Sequence, residues 1–191
     1  MHIRTAYRTD AEALAHLIDI AREGIPSYLW RRLTEPDETA LEVGAKRIEE
    51  DDSFFSYRRI RLAENGHRII GLVASFHQPA SRPQTWLDEF ATAVRPLAEL
   101  ERETADSWYI SALATDEEFR GQGVGTALLN CAEEVARQMR VARSTLIVAD
   151  GNPEAFEFAC RRGYQEEAWQ RAVGFDGTLH GGRWVLMSKQ L

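Results

Sequence analysis

Three glycines at alternate positions, Gly121, Gly123 and Gly125, stand between a strand-like run, Trp108 to Thr115, and an apolar-faced helix from about Gly123 to Arg140. Without a Cβ, backbone N–H groups at such a turn can approach an anion closely, and the following helix start adds partial positive charge. Arg120 adds a full charge beside them. The order of strand, glycine turn and helix suits a phosphate or pyrophosphate. A merely flexible turn accounts for one or two glycines but not for the repeated spacing. A dinucleotide fold is the rival, since Gly121-x-Gly123 follows a strand and Asp150 ends the next one. That fold closes its strand directly on the first glycine, whereas Asp116 to Arg120 intervene here, and it places the motif in the first βαβ unit.

The rest of the chain alternates helical and strand patterns. Ile3 to Tyr7 reads as a strand, and Asp10 as the cap of a helix carrying Leu14, Leu17, Ile18, Ala21 and Ile25 as far as Gly24-Ile25-Pro26. A less regular stretch with Tyr28, Trp30 and Leu33 leads to a helix near Thr39 to Glu50. Residues 54–64 and 67–77 flank Asn65-Gly66 and predict an antiparallel hairpin. After a loop at Gln78 to Gln84, a helical insertion to Thr104 carries Leu87, Phe90, Val94, Leu97 and Leu100, with Pro96 as a break. Further on, Ser144 to Ala149 reads as a buried strand and Pro153 to Arg162 as a helix closed by Gly163, followed by strands near 165–175 and 183–189. The layout is mixed α/β with one sheet, a single domain over 1–191 with a helical insertion at about 78–107.

The formal charge of −7, from 23 bases against 30 acids, argues against a nucleic-acid binder, which needs a basic face. Residues 31–52 hold four bases and eight acids, and residues 78–107 three bases and six, so these two regions carry the whole excess. They read as solvated helix faces or as the rim of a cleft for a cation. No run reaches the roughly 18 apolar residues of a membrane span. The start of the chain lacks the layout of a signal peptide. Cys131 and Cys160 form no CxxC, disulfide framework or metal cluster and suit a reducing cytoplasm. No metal is expected.

The stretch Arg120-Gly121-Gln122-Gly123-Val124-Gly125 resembles the acyl-CoA loop of the GCN5-related N-acetyltransferase (GNAT) superfamily, Gln/Arg-x-x-Gly-x-Gly/Ala. The resemblance runs from the strand ending at Asp116 through Asn152 and Ala155 to Gly163-Tyr164, about residues 105–165. It implies an α/β fold with one mixed, mostly antiparallel sheet of about seven strands, helices on both faces and a V-shaped splay between the strands near 108–115 and 144–149. It also implies transfer of acetyl from acetyl-CoA to a primary amine by direct attack in a ternary complex. A CoA-binding module of the same fold without catalysis is the alternative. Homodimers are common among such proteins.

By the same resemblance, main-chain groups at Leu113, Ala114 and Thr115 hold the pantetheine arm. Arg120 and the loop Gly121, Gln122, Gly123, Val124, Gly125 and Thr126 hold the pyrophosphate, and Asn152 and Phe158 line the far side of the arm. The N–H near Leu113 or Ala114 faces the thioester carbonyl and stabilises the oxyanion. Asn152 also reads as an ordinary cap before Pro153, and Phe158 as core. The family's usual tyrosine, often the acid that protonates the leaving thiolate, falls at Ala159. Cys160 is no direct substitute, because one residue along a helix turns the side chain by about 100°.

An ammonium acceptor loses a proton before it attacks, so the acceptor side calls for a base or a water chain. Tyr109 and Ser111 share a face of their strand and are candidates, beside the reading as hydrogen-bonded core. His77 is another. Glu23, Tyr28 and Trp30 are candidates for a wall of the acceptor pocket, and Glu99, Glu101 and Glu103 for its acidic rim.

Overall fold

The computed structural model describes residues 1–78 and 91–191. In chain order these form β1 (His2–Thr5), α1 (Ala11–Ala21), α2 (Ile25–Trp30), α3 (Ala40–Glu49), β2 (Ile60–Asn65), β3 (Arg68–Gln78) and α4 (Arg95–Glu103). There follow β4 (Ser107–Thr115), α5 (Val124–Gln138), β5 (Arg143–Ala149), α6 (Pro153–Arg161), β6 (Gln165–Arg171) and β7 (Arg183–Gln190). The strands make one mixed sheet in the order β1-β2-β3-β4-β5-β7-β6, with β4 and β5 parallel. Among the described residues no helix is long and apolar enough to cross a membrane.

The chain forms two compact units, residues 1–75 with 112–132, and residues 76–111 with 133–191. In the first, β2 and β3 make the expected hairpin. Asn65 pairs with Arg68 around Gly66, whose φ of 65° is the left-handed conformation that a tight turn needs. Leu72 and Ala74 of β3 join an apolar cluster with Leu14 and Ile18 of α1 and Ile48 of α3. Gly71 turns the other way, where a Cβ would press on the Ala114 carbonyl and crowd Val124 and Leu128 of α5. Alternation along one strand thus gives this unit helices on both faces of its sheet.

Two prolines act differently from their sequence reading. Pro26 and Pro96 each occupy the first turn of a helix, α2 and α4, where a missing N–H costs nothing, so both mark starts rather than a stop and a break. Of the helical insertion, residues 79–90 lie outside the described residues. Val94, Leu97 and Leu100 are buried as the spacing predicts. The strand expected over 54–64 begins only at Ile60. Phe54 and Phe55 meet edge to face at 4.7 Å, and Ser56 accepts a bond from Arg58 N–H that turns the chain. Their apolar content serves loop packing instead. The first strand ends at Thr5 and the sixth at Arg171, short of Tyr7 and residue 175. Asp10 does not cap α1; its carboxylate takes Arg4 at 2.8 Å and the Tyr7 N–H at 2.7 Å.

In the second unit β5 pairs along its whole length with β7, Arg143↔Gln190 to Ala149↔Trp184. Its register with β4 covers Trp108↔Ser144 to Ile110↔Leu146. Helix α4 packs on β5, β6 and β7, and α6 on β5.

Candidate active site

Between β4 and α5 the chain makes a single turn of 3₁₀ helix, Glu117–Phe119, and then the glycine turn. Gly121 and Gly123 have φ of 71° and 83°, and a Cβ on either would meet open space. Glycine is required there by backbone conformation rather than by crowding. Gly123 occupies the position before α5, and its carbonyl accepts the first helical bond, from Ala127 N–H at 3.0 Å. A helix leaves its first N–H groups without helical acceptors, and a glycine in the capping position offers no side-chain oxygen to take them. Those of Val124, Gly125 and Thr126 are therefore available to an outside anion, reinforced by the helix dipole. Gln122 turns its amide back to the Glu118 carbonyl at 2.9 Å. Arg120 is exposed.

Three acids, Asp116, Glu117 and Glu118, precede this turn and would repel an anion. Arg68 of β3 answers two of them, reaching Asp116 at 2.8 Å and Glu118 at 2.5 Å, with its guanidinium 5.2 Å from the Phe119 ring centre. Desolvation opposes the charged form of Asp116, but Arg68 and the Glu118 N–H outweigh it and hold its pKa below the ordinary carboxylate value. The Asp116 N–H to Ile70 carbonyl bond, 2.9 Å, anchors the start of the turn to β3. Sequence reading missed Arg68, because only pairing of β3 with β4 brings it to the turn.

Along β4 every residue is buried up to Ala112, after which Leu113 and Thr115 are half-buried while Ala114 is buried. One face of the strand end is therefore open, and it is the face that Leu113 and Thr115 share. In β5, Ile147 and Val148 are likewise half-buried after a fully buried stretch, Ser144 to Leu146. Tyr109 is 1% exposed, stands edge-on to Phe76 at 5.8 Å and donates to the Glu101 carboxylate at 3.1 Å. Ser111 is buried. Asn152 caps α6 by accepting the Ala155 N–H at 3.2 Å, and Phe158 is half-buried. Asp150, the acid that a dinucleotide site would turn on a ribose, instead grips Arg183 through the backbone N–H and Nε, both at 2.7 Å.

The model of the acetyltransferase (GNAT) family matches residues 17–164. The chain belongs to the GNAT family of acetyltransferases. Solved N-acetyltransferases share its fold across nearly the whole length. The polyamine N-acetyltransferase of Drosophila melanogaster is 15% identical with a TM-score of 0.70, over 100% of this chain and 99% of that one. The ribosomal-protein-alanine N-acetyltransferase of Brucella melitensis is 20% identical with a TM-score of 0.64, over 100% of both. An N-acetyltransferase of Staphylococcus aureus Mu50 is 16% identical with a TM-score of 0.68, over 99% of this chain and 100% of that one. At these identities the likeness is one of fold. No curated protein matches the sequence.

Acetyltransferases of this family use acetyl-CoA. In this one Ala159, at the family's tyrosine place, is 1% exposed, while Cys160 faces solvent. His77 is exposed, and Trp30 belongs to the apolar core, stacked where a Cβ on Gly44 would strike its ring. Much of the acidity of 31–52 is met locally. Glu38 takes Lys46 at 2.6 Å, and Asp51 takes Arg58 at 2.8 Å and Tyr57 at 3.0 Å. On α4, Glu99 faces Arg95 at 3.6 Å.

A second polar cluster centres on Glu133. Glu133 of α5, with a side chain 3% exposed, accepts Lys189 on both oxygens at 2.8 Å and the Tyr164 hydroxyl at 3.2 Å. Tyr164 in turn meets Ser144 Oγ at 2.7 Å. Burial first, then the neighbouring Glu133 charge, push the Tyr164 phenol well above its ordinary value, with the Ser144 bond working the other way. This cluster ties α5 to β5, β7 and the end of α6 and is structural.

Proposed function

We propose that this GNAT enzyme transfers acetyl from acetyl-CoA to the primary amine of a cationic acceptor, by direct attack in a ternary complex. The observation that carries the reading is the turn Gly121 to Gly123. Gly121 and Gly123 are left-handed with open space beside them, and glycine precedes α5, so no side chain there competes for its first N–H groups. Arg120 and the N–H groups of Gly121 to Thr126 hold the pyrophosphate, and Arg68 screens the acids ahead of them. The pantetheine arm lies along Leu113, Ala114 and Thr115, where β4 opens one face. The N–H at Leu113 or Ala114 receives the negative charge that develops on the carbonyl oxygen.

Tyr109 and Ser111 are buried on the acceptor-side strand. Tyr109 is bound to Glu101, so in this reading it orients rather than takes up the proton of the incoming ammonium. The acid excess of the chain supports a cationic acceptor, as do fold neighbours named for polyamine and agmatine acetylation.

Calorimetric titration with acetyl-CoA, with NAD as the control ligand, tests the reading. Micromolar acetyl-CoA binding and no response to NAD are expected. Absence of acetyl-CoA binding overturns the assignment of the turn. Release of free CoA that depends on an added amine then separates a transferase from a module that only binds.

A further inference from the structure

β6 ends the sheet, and among the described residues no strand pairs with its outer edge. An open edge invites a further strand, so chains blunt it with charges, proline or a bulge. Here only the first half is blunted. The register with β7 shifts between Glu166 and Ala168, and Gln165, Glu166 and Glu167 are exposed there. From Ala168↔Leu186 to Arg171↔Arg183 the pairing is regular, and Ala172 N–H then bonds the Gly182 carbonyl at 3.0 Å. Backbone groups alternate in direction along a strand. Ala168, Gln170 and Ala172 therefore bond towards β7, while the N–H and carbonyl groups of Trp169 and Arg171 point away from it. These are the groups that a further strand would use.

The same two residues carry the open side chains. Trp169 is 52% exposed and Arg171 is exposed, whereas Ala168 and Gln170, on the other face, are half-buried. The Arg183 guanidinium, 5.1 Å from the Trp169 ring centre, is held by Asp150 at 2.7 Å. Arg171 has no such hold. It stands opposite Arg183 in the ladder, and among the described residues no carboxylate meets it. A two-fold axis that sets β6 against β6 of a second copy answers both the edge and the charge. Antiparallel pairing centred on Gln170 brings Trp169 of each strand opposite Arg171 of the other. Both are outward-bonding residues, so each such pair exchanges its backbone hydrogen bonds and lays a guanidinium on an indole. Ala168 then meets Ala172, and the acids at the bulge fall beyond the paired stretch. An axis moved one residue towards Trp169 would draw the bulged Glu167 into the ladder, and one moved towards Arg171 would set arginine on arginine.

We propose that the outer edge of β6 is a docking surface for a second copy of this chain, the two strands pairing antiparallel about Gln170. The proposal is independent of the transferase reading. A pairing confined to Ala168–Ala172 makes a small interface, so the dimer is weak and comes apart on dilution. Sedimentation velocity over a series of protein concentrations tests it, with thermal unfolding run on every variant. Wild type is expected to pass from monomer to dimer as concentration rises. Arg171→Pro removes an outward N–H that β7 does not use, so the dimer Kd rises about tenfold or more with a Tm close to that of wild type. Trp169→Arg sets arginine opposite Arg171 of the other copy and weakens the dimer likewise. Trp169→Glu removes the same ring but sets an acid there, and its Kd stays within about threefold of wild type. The two Trp169 variants carry the test by themselves where proline disturbs the strand. A wild type that is monomeric at every concentration overturns the proposal. So does a dimer that Arg171→Pro and Trp169→Arg leave intact, or one that Trp169→Arg and Trp169→Glu weaken equally.

Discussion

Arg68 and Asp116 meet at 2.8 Å across 48 residues of chain, and the same guanidinium reaches Glu118. The pair joins a strand to the acids that lead into the glycine turn, so the charge around the first N–H groups of α5 depends on a residue outside the motif. An anion approaching those N–H groups meets a turn whose three acids are partly neutralised rather than bare.

Arg68→Gln should therefore weaken acetyl-CoA binding without touching the turn's backbone. The guanidinium is half exposed, so water and salt screen its effect, and the expected rise in Kd is about three- to tenfold. The difference from wild type should shrink as salt is raised. Calorimetric titration at low and high salt measures it, and a Kd that does not move assigns Arg68 to surface pairing alone.

Gly123→Ala introduces no clash, because nothing lies within 4 Å of the added Cβ, but it places alanine at a φ of 83°. The left-handed conformation costs a non-glycine residue about 1–2 kcal/mol. Relaxing it tilts the N–H groups at the start of α5. A Tm lower by a few degrees is expected together with acetyl-CoA affinity reduced about tenfold or more. Gly66→Ala, at a φ of 65° in the β2–β3 hairpin, serves as the control, with the same thermal cost and unchanged affinity.

The glycine turn was legible in the sequence because its chemistry is local. Spacing fixes which backbone groups face outward whatever the rest of the chain does. The same holds for the Asn65-Gly66 hairpin. Pro26, Pro96 and the Phe54-Phe55 pair were misread for the opposite reason. A proline fits a helix start as well as a helix end, and an apolar pair fits a strand or a packed loop, so neighbours decide. Arg68 and the Glu133 cluster join elements far apart in sequence, and no pattern in one segment announces them. Glu23 was visible as an acid near a helix end. Its burial and left-handed backbone emerged only with the fold.

Tyr164 predicts an alkaline loss of stability. Its phenol is buried against Glu133, so the native state keeps the proton above the ordinary value of 10.0 while the unfolded chain releases it. Above that pH the unfolded state binds fewer protons, and stability falls with rising pH, by about 1.4 kcal/mol per pH unit from this group. The contribution is complete below pH 10 and is lost progressively above it. Tyr164→Phe removes this titration and the hydroxyl's hydrogen bonds to Glu133 and Ser144, at a cost of about 1–3 kcal/mol near neutrality. Denaturant unfolding from pH 8 to 11.5 should show the gap between variant and wild type closing above pH 10, and a constant gap would contradict the burial argument.

Restoring the family's tyrosine should not restore a rate. Ala159 is 1% exposed on α6, so a ring at that position has to displace packed neighbours, which costs about 1–3 kcal/mol. For a chain of this size that corresponds to a Tm lower by roughly 2–12 °C. The leaving thiol needs little help, since a group of pKa about 8.5 departs tolerably as thiolate near neutral pH. Ala159→Tyr is therefore expected to lose stability with kcat equal to or below that of wild type, and Cys160→Ala, at an exposed position, to leave both unchanged. A stable Ala159→Tyr enzyme with a faster turnover would mean that the α6 face opens in the working complex and that protonation of the thiolate limits the wild type.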